Sequence, residues 1–289
     1  MEKALKILNS EQDPDEISRA CQIAVDVMKK CKQTKYDQWP EKFNIDQVTS
    51  CLMTVFLSNF ENPCHVLTSA TDALIHLIQL NPKSKIDLAR KGIFFNIVKL
   101  FWFQNTSSRE VCALSSLRLS VALVDDCHHN LLSCKDADLI SLVPDALTLY
   151  EDDKYILVNC LQLLSILLCE TENDNFEIKE WRNSWKKLCF LNSVYICVLD
   201  IMNKYVADTP MLQLFSLKCL KAFTGGAIKQ MQEHGVIDTI LHTCERHDGD
   251  SAVELEAFQL LEIIMEKAST LFCLMAIQRL LSCNSILSV

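Results

Sequence analysis

Lys85-Ile86-Asp87-Leu88-Ala89-Arg90-Lys91-Gly92-Ile93-Phe94 and Gln230-Met231-Gln232-Glu233-His234-Gly235-Val236-Ile237 are built on one plan. A polar helix end runs into a glycine, and an apolar helix follows at once. That helix continues through Ile97, Val98 and Leu100 in the first stretch, and through Ile240 and Leu241 in the second. Glycine in this place reads as a C-cap. It lets the chain turn sharply into the next helix without a Cβ penalty. Lys135 to Leu142 and Trp185 to Val198 read as degenerate copies of the same motif.

Each motif belongs to a longer unit that also holds a capped, strongly apolar helix. Asn62-Pro63 opens a run through Ala70, Ala73, Leu74 and Leu77. Ser107 with Glu110 forms a capping box ahead of Val111, Leu114, Leu117 and Val121. Asp152-Asp153 precedes Ile156, Cys160, Leu163, Leu164 and Leu167. Thr209-Pro210 supplies a cap and a first-position proline before Met211, Phe215, Cys219, Leu220 and Phe223. Ser251 with Glu254 forms a capping box before Leu255, Ala257, Leu260, Leu261 and Ile264. Aligned on their core positions, these helices repeat at Ala20, Ala70, Leu117, Cys160, Ser216 and Ala257, with spacings of 50, 47, 43, 56 and 41 residues. A single irregular helical bundle would share the periodicity. The repeated helix starts at similar spacing favour a row of stacked units.

A glycine turn into an apolar helix, followed by a capped apolar helix, resembles the armadillo repeat, and the looser units are similar to HEAT repeats. The resemblance covers nearly the whole chain. It implies an all-α fold, an α-solenoid of about six armadillo/HEAT-like helical repeats. These form a single repeat domain over 1–289, with units at approximately 1–44, 45–92, 93–136, 137–190, 191–235 and 236–289. In this superfamily the third helices line a concave groove, with two side chains per unit facing it one turn apart. Here the corresponding pairs are Gln22 and Asp26, Asp72 and His76, Leu119 and Leu123, Gln162 and Ile166, Lys218 and Ala222, and Gln259 and Ile263. Family members that grip extended peptides repeat Trp and Asn at these places. This chain has no such pair, which argues against a receptor for basic import signals. The expected middle of the groove is apolar (Leu119, Leu123, Ile166) and its rim carries Gln and Lys, which suits an amphipathic partner helix. A register displaced by one residue would instead put those leucines in the core.

Composition agrees with this architecture. Hydrophobic residues make up 49% of the 289 residues and charged residues 22%, the composition of a folded chain. There are 5 Gly and 6 Pro. Average usage would give about 20 and 14, and sheets and phosphate loops need more of both. A net charge of −9 without a cluster of Lys and Arg argues against direct nucleic-acid binding. No run of about 18 apolar residues is present to span a membrane, and the opening Met1-Glu2-Lys3-Ala4-Leu5-Lys6 lacks the apolar core of a signal peptide. The 15 cysteines fall mostly on apolar helical faces, as Cys21, Cys160, Cys169, Cys219 and Cys273 do. They read as small buried hydrophobes in a reducing compartment, which points to the cytoplasm or nucleus.

Two stretches break the pattern. The 56-residue spacing implies an insertion around Glu170 to Trp181, an acidic, polar loop with Phe176, Trp181 and Trp185. It either contacts a partner or lets its tryptophans pack back on the solenoid, and the balance favours the second. Lys32 to Asn44, with Tyr36, Trp39 and Pro40, reads as an ordinary link. The apolar end from Leu271 to Val289, with Leu274, Ile277, Leu280, Leu281, Ile286 and Leu287, implies a homodimer interface or a longer chain.

The sequence offers no catalytic signature. CxxC, GxxxxGK[ST], GxGxxG, GxSxG and HExxH are all missing. Cys127-His128-His129 with Cys134, and His242, Cys244 and His247, could bring metal ligands together, but helix-end histidines are more often caps or dipole partners. Gly225-Gly226 reads as a helix end rather than a phosphate cradle. Asp125-Asp126 and Asp152-Asp153 read as solvated helix ends. The expectation is a non-enzymatic scaffold or adaptor without cofactor or metal, part of a larger protein or complex, which binds a partner helix or peptide in its groove. The alternative is a module that associates with itself through the C-terminal end.

Overall fold

The same turn occurs four times, and it explains how the helices are arranged. Gly92 has φ 76° and Gly235 φ 75°, as C-cap glycines should. Asp138 (φ 53°) and Ser193 (φ 57°) take the same left-handed conformation in the two degenerate copies. In all four the amide of the turning residue donates to the carbonyl three residues back: Ala89, Lys135, Phe190 and Gln232. An apolar pair then enters the core: Ile93-Phe94, Leu139-Ile140, Val194-Tyr195 and Val236-Ile237 are all buried. Complete burial of one such side chain contributes about 1.5–3 kcal/mol, which outweighs the about 1–2 kcal/mol that a non-glycine residue loses in the left-handed region.

The computed structural model describes residues 1–10, 13–33, 44–58, 64–102 and 109–267. Among these all regular structure is helical, with no strand, and the chain divides into two compact units, 1–142 and 143–289.

The first unit holds α1 (Glu2–Ser10), α2 (Pro14–Gln33), α3 (Ile45–Ser58), α4 (Cys64–Leu80), α5 (Lys83–Arg90), α6 (Ile93–Phe101), α7 (Arg109–Val124), α8 (His129–Asp136) and a 3-10 turn, Leu139–Ser141. Its long helices pack side by side, α2 on α4 and α4 on α7, while α3 packs on α4 and α6 on α7 from behind.

The second unit repeats this plan with α9 (Leu142–Leu149), α10 (Lys154–Leu168), α11 (Phe176–Leu191), α12 (Val194–Lys204), α13 (Pro210–Phe223), α14 (Ile228–Glu233), α15 (Val236–Arg246) and α16 (Ser251–Lys267). Here α10 packs on α13 and α13 on α16, backed by α12 and α15. The long helices α2, α4, α7, α10, α13 and α16 are the third helices of the repeats.

The helix starts follow local chemistry. Asp153 caps α10, its carboxylate accepting from the amides of Tyr155 (2.9 Å) and Ile156 (3.1 Å). Pro210 opens α13 as expected, but the Thr209 side chain makes no cap bond. The cap of α16 is Asp250 rather than Ser251. Its Oδ1 accepts from Ala252 and Val253, while Glu254 reaches back to the Gly249 amide at 2.9 Å. Asn62-Pro63, Ser107, most of Lys32 to Asn44, and Leu271 to Val289 lie outside the described residues.

The expected insertion from Glu170 to Trp181 is half loop and half helix. The seven residues Cys169 to Asn175 join α10 to α11, and α11 begins at Phe176 with the Asn175 side chain accepting from the Ile178 amide at 2.9 Å. An Asn cap and Glu177 in the first turn are ordinary helix-start signals. The acidic composition of the stretch hid them.

Candidate partner-binding surface

The third helices turn one flank inward and leave the next flank open. In the first unit Gln22 and Asp26 are exposed on α2, and Asp72 and His76 are half-buried on α4. In the second, Gln162 and Ile166 on α10, Lys218 and Ala222 on α13, and Gln259 and Ile263 on α16 are all half-buried. Five of the six expected pairs therefore reach the surface of their helix.

The sixth does not. Leu119 and Leu123 of α7 are fully buried, and the open flank carries Arg118 and Ala122. The register there is displaced by one residue, because the equivalent core position is Ser116, not Leu117. With Ser116 the spacings become 46 and 44. Arg118 Nη2 lies 2.8 Å from Asp72 Oδ1 on the neighbouring α4, so the two side chains share one face. The surface is consequently not apolar at these positions.

The two units differ in chemistry. The flank of the first is polar and already paired within itself: Gln22 donates to Asp26 at 3.1 Å, and Arg118 meets Asp72. In the second a polar residue alternates with an apolar or small one on each helix, Gln162/Ile166, Lys218/Ala222 and Gln259/Ile263. Lys221 ties α13 to α16, with its Nζ 2.5 Å from Glu256 Oε2 and 2.8 Å from Gln259 Oε1. Lys218 extends over the Phe215 ring, 5.8 Å from its centroid.

A buried ion pair that sequence reading missed anchors α11 to the loop before it. Arg182 and Asp174 are 1% and 0% exposed, with Nε 3.0 Å from Oδ2. The guanidinium also donates to the carbonyls of Ile166 (2.8 Å), Leu167 (3.0 Å) and Cys169 at the end of α10. Thr171 completes the shell of Asp174 through its amide (3.0 Å) and hydroxyl (2.9 Å). Burial pushes the Arg182 pKa below its ordinary value, and the Asp174 carboxylate opposes that shift. Of the three aromatic residues expected on a loop, Phe176 is 75% exposed at the start of α11, and Trp181 and Trp185 are half-buried along it.

Beside α11 lies a cleft of about 400 Å³. Lys186, Lys187 and Phe190 of α11 form one wall, and Ala222, Phe223 and Gly225-Gly226 at the end of α13 form the other. Ala222 thus belongs both to the open flank of α13 and to the cleft.

The remaining candidate groups do not assemble into a reactive site. Among the described residues no set of three or more His, Cys, Asp or Glu side chains is placed to hold a metal, the Cys127–Cys134 and His242–His247 stretches included. Burial pushes the Cys21 thiol up to about 12, and Cys189 and Cys244 up to about 11, so these sulfurs stay protonated at neutral pH and are poor nucleophiles. No helix among the described residues is long and apolar enough to cross a membrane.

Solved structures share this architecture. An engineered protein from the Northeast Structural Genomics Consortium superimposes with a TM-score of 0.64 at 15% identity, over 92% of this chain and 98% of its own. The designed armadillo repeat protein YIII(Dq)4CqI gives a TM-score of 0.61 at 13% identity, over 91% and 98%. At these identities the likeness speaks for the fold alone. A family model described as LRRK2 ARM repeat matches residues 1–288, and the chain belongs to that armadillo-repeat family.

Proposed function

We propose that the chain is a non-enzymatic interaction scaffold that holds a helical or extended segment of a partner protein along the third helices of its second unit. The armadillo fold generally serves protein interaction. The observation that carries the reading is the alternation of Gln162/Ile166, Lys218/Ala222 and Gln259/Ile263 on adjacent helices. An amphipathic segment laid across them would meet polar and apolar positions in turn. The displaced register of α7 removes the leucines from the surface, so the second unit, rather than the middle of the chain, carries the proposal. The buried thiols fit a reducing compartment, cytoplasmic or nuclear.

Affinity capture from the native cell type, with wild type and variants in parallel, tests this. A partner retained by wild type and lost with Ile166→Asp and with Lys218→Glu supports it. Equal recovery by both variants contradicts it.

A second reading rests on Leu255 (58% exposed) and Phe258 (45% exposed) on α16, the last described helix. An exposed apolar flank needs cover, and a second copy of the chain would supply it. Sedimentation should then show a dimer that Phe258→Asp dissociates; a monomer at high concentration rejects this reading.

A further inference from the structure

The cleft beside α11 holds two glycines that its backbone does not need. Gly225 and Gly226 are absent from the positive-φ residues, unlike Gly92, Gly235 and Gly249. Nor does packing demand them, since a Cβ built on either meets nothing within 4 Å. They form the turn that ends α13, as the sequence suggested, but without a positive φ. Glycine that neither takes a left-handed conformation nor relieves a close contact within the protein leaves its backbone open to approach from outside.

The surroundings indicate what approaches. The floor is apolar, with Phe223 and Ala227 buried and Phe190 and Ala222 half-buried. The wall carries Lys186 and Lys187 with Asn183 and Glu170, and Lys179 lies further along the same flank of α11, outside the cleft. Lys186 is held by Glu170 at 2.6 Å, which fixes it at the rim, while Lys179 and Lys187 are exposed. The lining thus sets two lysines against one carboxylate, Glu170, a locally positive site in a chain of net charge −9. An anionic segment is favoured beside the exposed Lys187.

We infer that the cleft between α11 and the Gly225-Gly226 turn is an anchor for an acidic peptide segment of a partner protein. An apolar side chain enters against Phe190 and Phe223 while a neighbouring carboxylate meets Lys186 and Lys187. The inference rests on the scaffold reading, because Ala222 joins the cleft to the flank of α13 proposed to carry the partner. It adds a place and a charge that the ladder alone does not give.

Fluorescence anisotropy on the whole chain tests it. The probe is a labelled short peptide in which Asp and Glu alternate with Leu and Phe; its Asn/Gln counterpart is the control. The acidic peptide should bind with an affinity that falls as salt is raised, and the amide counterpart about tenfold or more weakly. Gly226→Leu, whose Cβ enters open space, and Lys187→Glu should each weaken binding by about tenfold or more with an unchanged melting temperature. Failure of the acidic peptide to bind, equal binding by the amide counterpart, or full binding by folded Gly226→Leu overturns the inference. So does capture by phosphatidylserine vesicles through the same residues, which would make the ligand a lipid surface. Loss of cellular partner capture with Ile166→Asp but not with Gly226→Leu would leave the scaffold reading standing and remove the anchor.

Discussion

Arg182 keeps Asp174 out of water: its Nε lies 3.0 Å from the Asp174 Oδ2, and the two side chains are 1% and 0% exposed. The same guanidinium accepts the role of a C-cap, donating to carbonyls at the end of α10. One residue thereby satisfies a buried carboxylate and a helix terminus together, and it fixes where α11 leaves α10. Asn130 and Gln213 do similar work without charge. Asn130 donates to Leu123 O at the end of α7 (2.9 Å), and Gln213 to Met202 O and Tyr205 O at the end of α12 (both 3.1 Å).

Arg182→Leu leaves Asp174 buried without its partner and the carbonyls of α10 without a donor. The expected loss is about 3–5 kcal/mol, read by urea denaturation. Arg182→Leu combined with Asp174→Leu should lose less than the sum of the single changes, because the stranded charge is gone. Additivity would show that the two side chains are not coupled.

At the four left-handed turns the sequence is not optimal. Ser193→Gly should stabilise the chain by up to about 1 kcal/mol, since serine bears the left-handed strain that glycine escapes. Gly235→Ala, at φ 75°, should lose about 1–2 kcal/mol for the same reason. Thermal melts of the two variants check this, and shifts in the same direction would contradict the equivalence of the turns.

The displaced register of α7 has a direct consequence. Leu119→Ala removes a fully buried side chain and should cost about 2–5 kcal/mol. Arg118→Ala removes one end of a pair whose side chains are 36% and 40% exposed, and should cost no more than about 1 kcal/mol. The opposite order would restore Leu119 to the surface.

That register marks where legibility ended. The fold was readable because the glycine turns and the caps act locally: Gly92, Gly235 and Asp153 do what their residue types dictate. In five of the six third helices the expected pairs are exposed or half-buried, because polar residues such as Gln22, Asp72 and Lys218 mark a flank turned away from the core. In α7 the fourteen residues from Val111 to Val124 hold a single charge, Arg118, amid Ser, Ala, Leu, Val and Cys. A helix apolar or small all round offers no stripe to set its phase, and Arg118 was the signal to follow. The cleft was not readable at all, since Lys186 and Gly225 meet only in the fold. Nor was the Arg182–Asp174 pair, because charges in an acidic stretch look solvated until one of them is seen to turn inward.

Burial of the thiols sets the response to alkali. Unfolded cysteine ionises near pH about 8.5, whereas Cys21 is raised to about 12 and Cys189 and Cys244 to about 11. Between these values the folded chain keeps protons that the unfolded chain has released. Stability is therefore unaffected below pH about 8.5 and falls as pH rises toward the folded values, by up to about 1.4 kcal/mol per pH unit for each thiol. Urea denaturation at a series of pH values should show this decline, and Cys21→Ala should make it shallower by one proton. An unchanged slope would mean that Cys21 is not protected.

Hydrogen–deuterium exchange on the chain with its co-purified partner bears most directly on the scaffold reading. Binding along the second unit should slow exchange in α10, α13 and α16 around residues 162–166, 218–222 and 259–263, and leave α2 and α4 unchanged. Protection confined to the first unit, or to the Trp181–Trp185 face of α11, would contradict it.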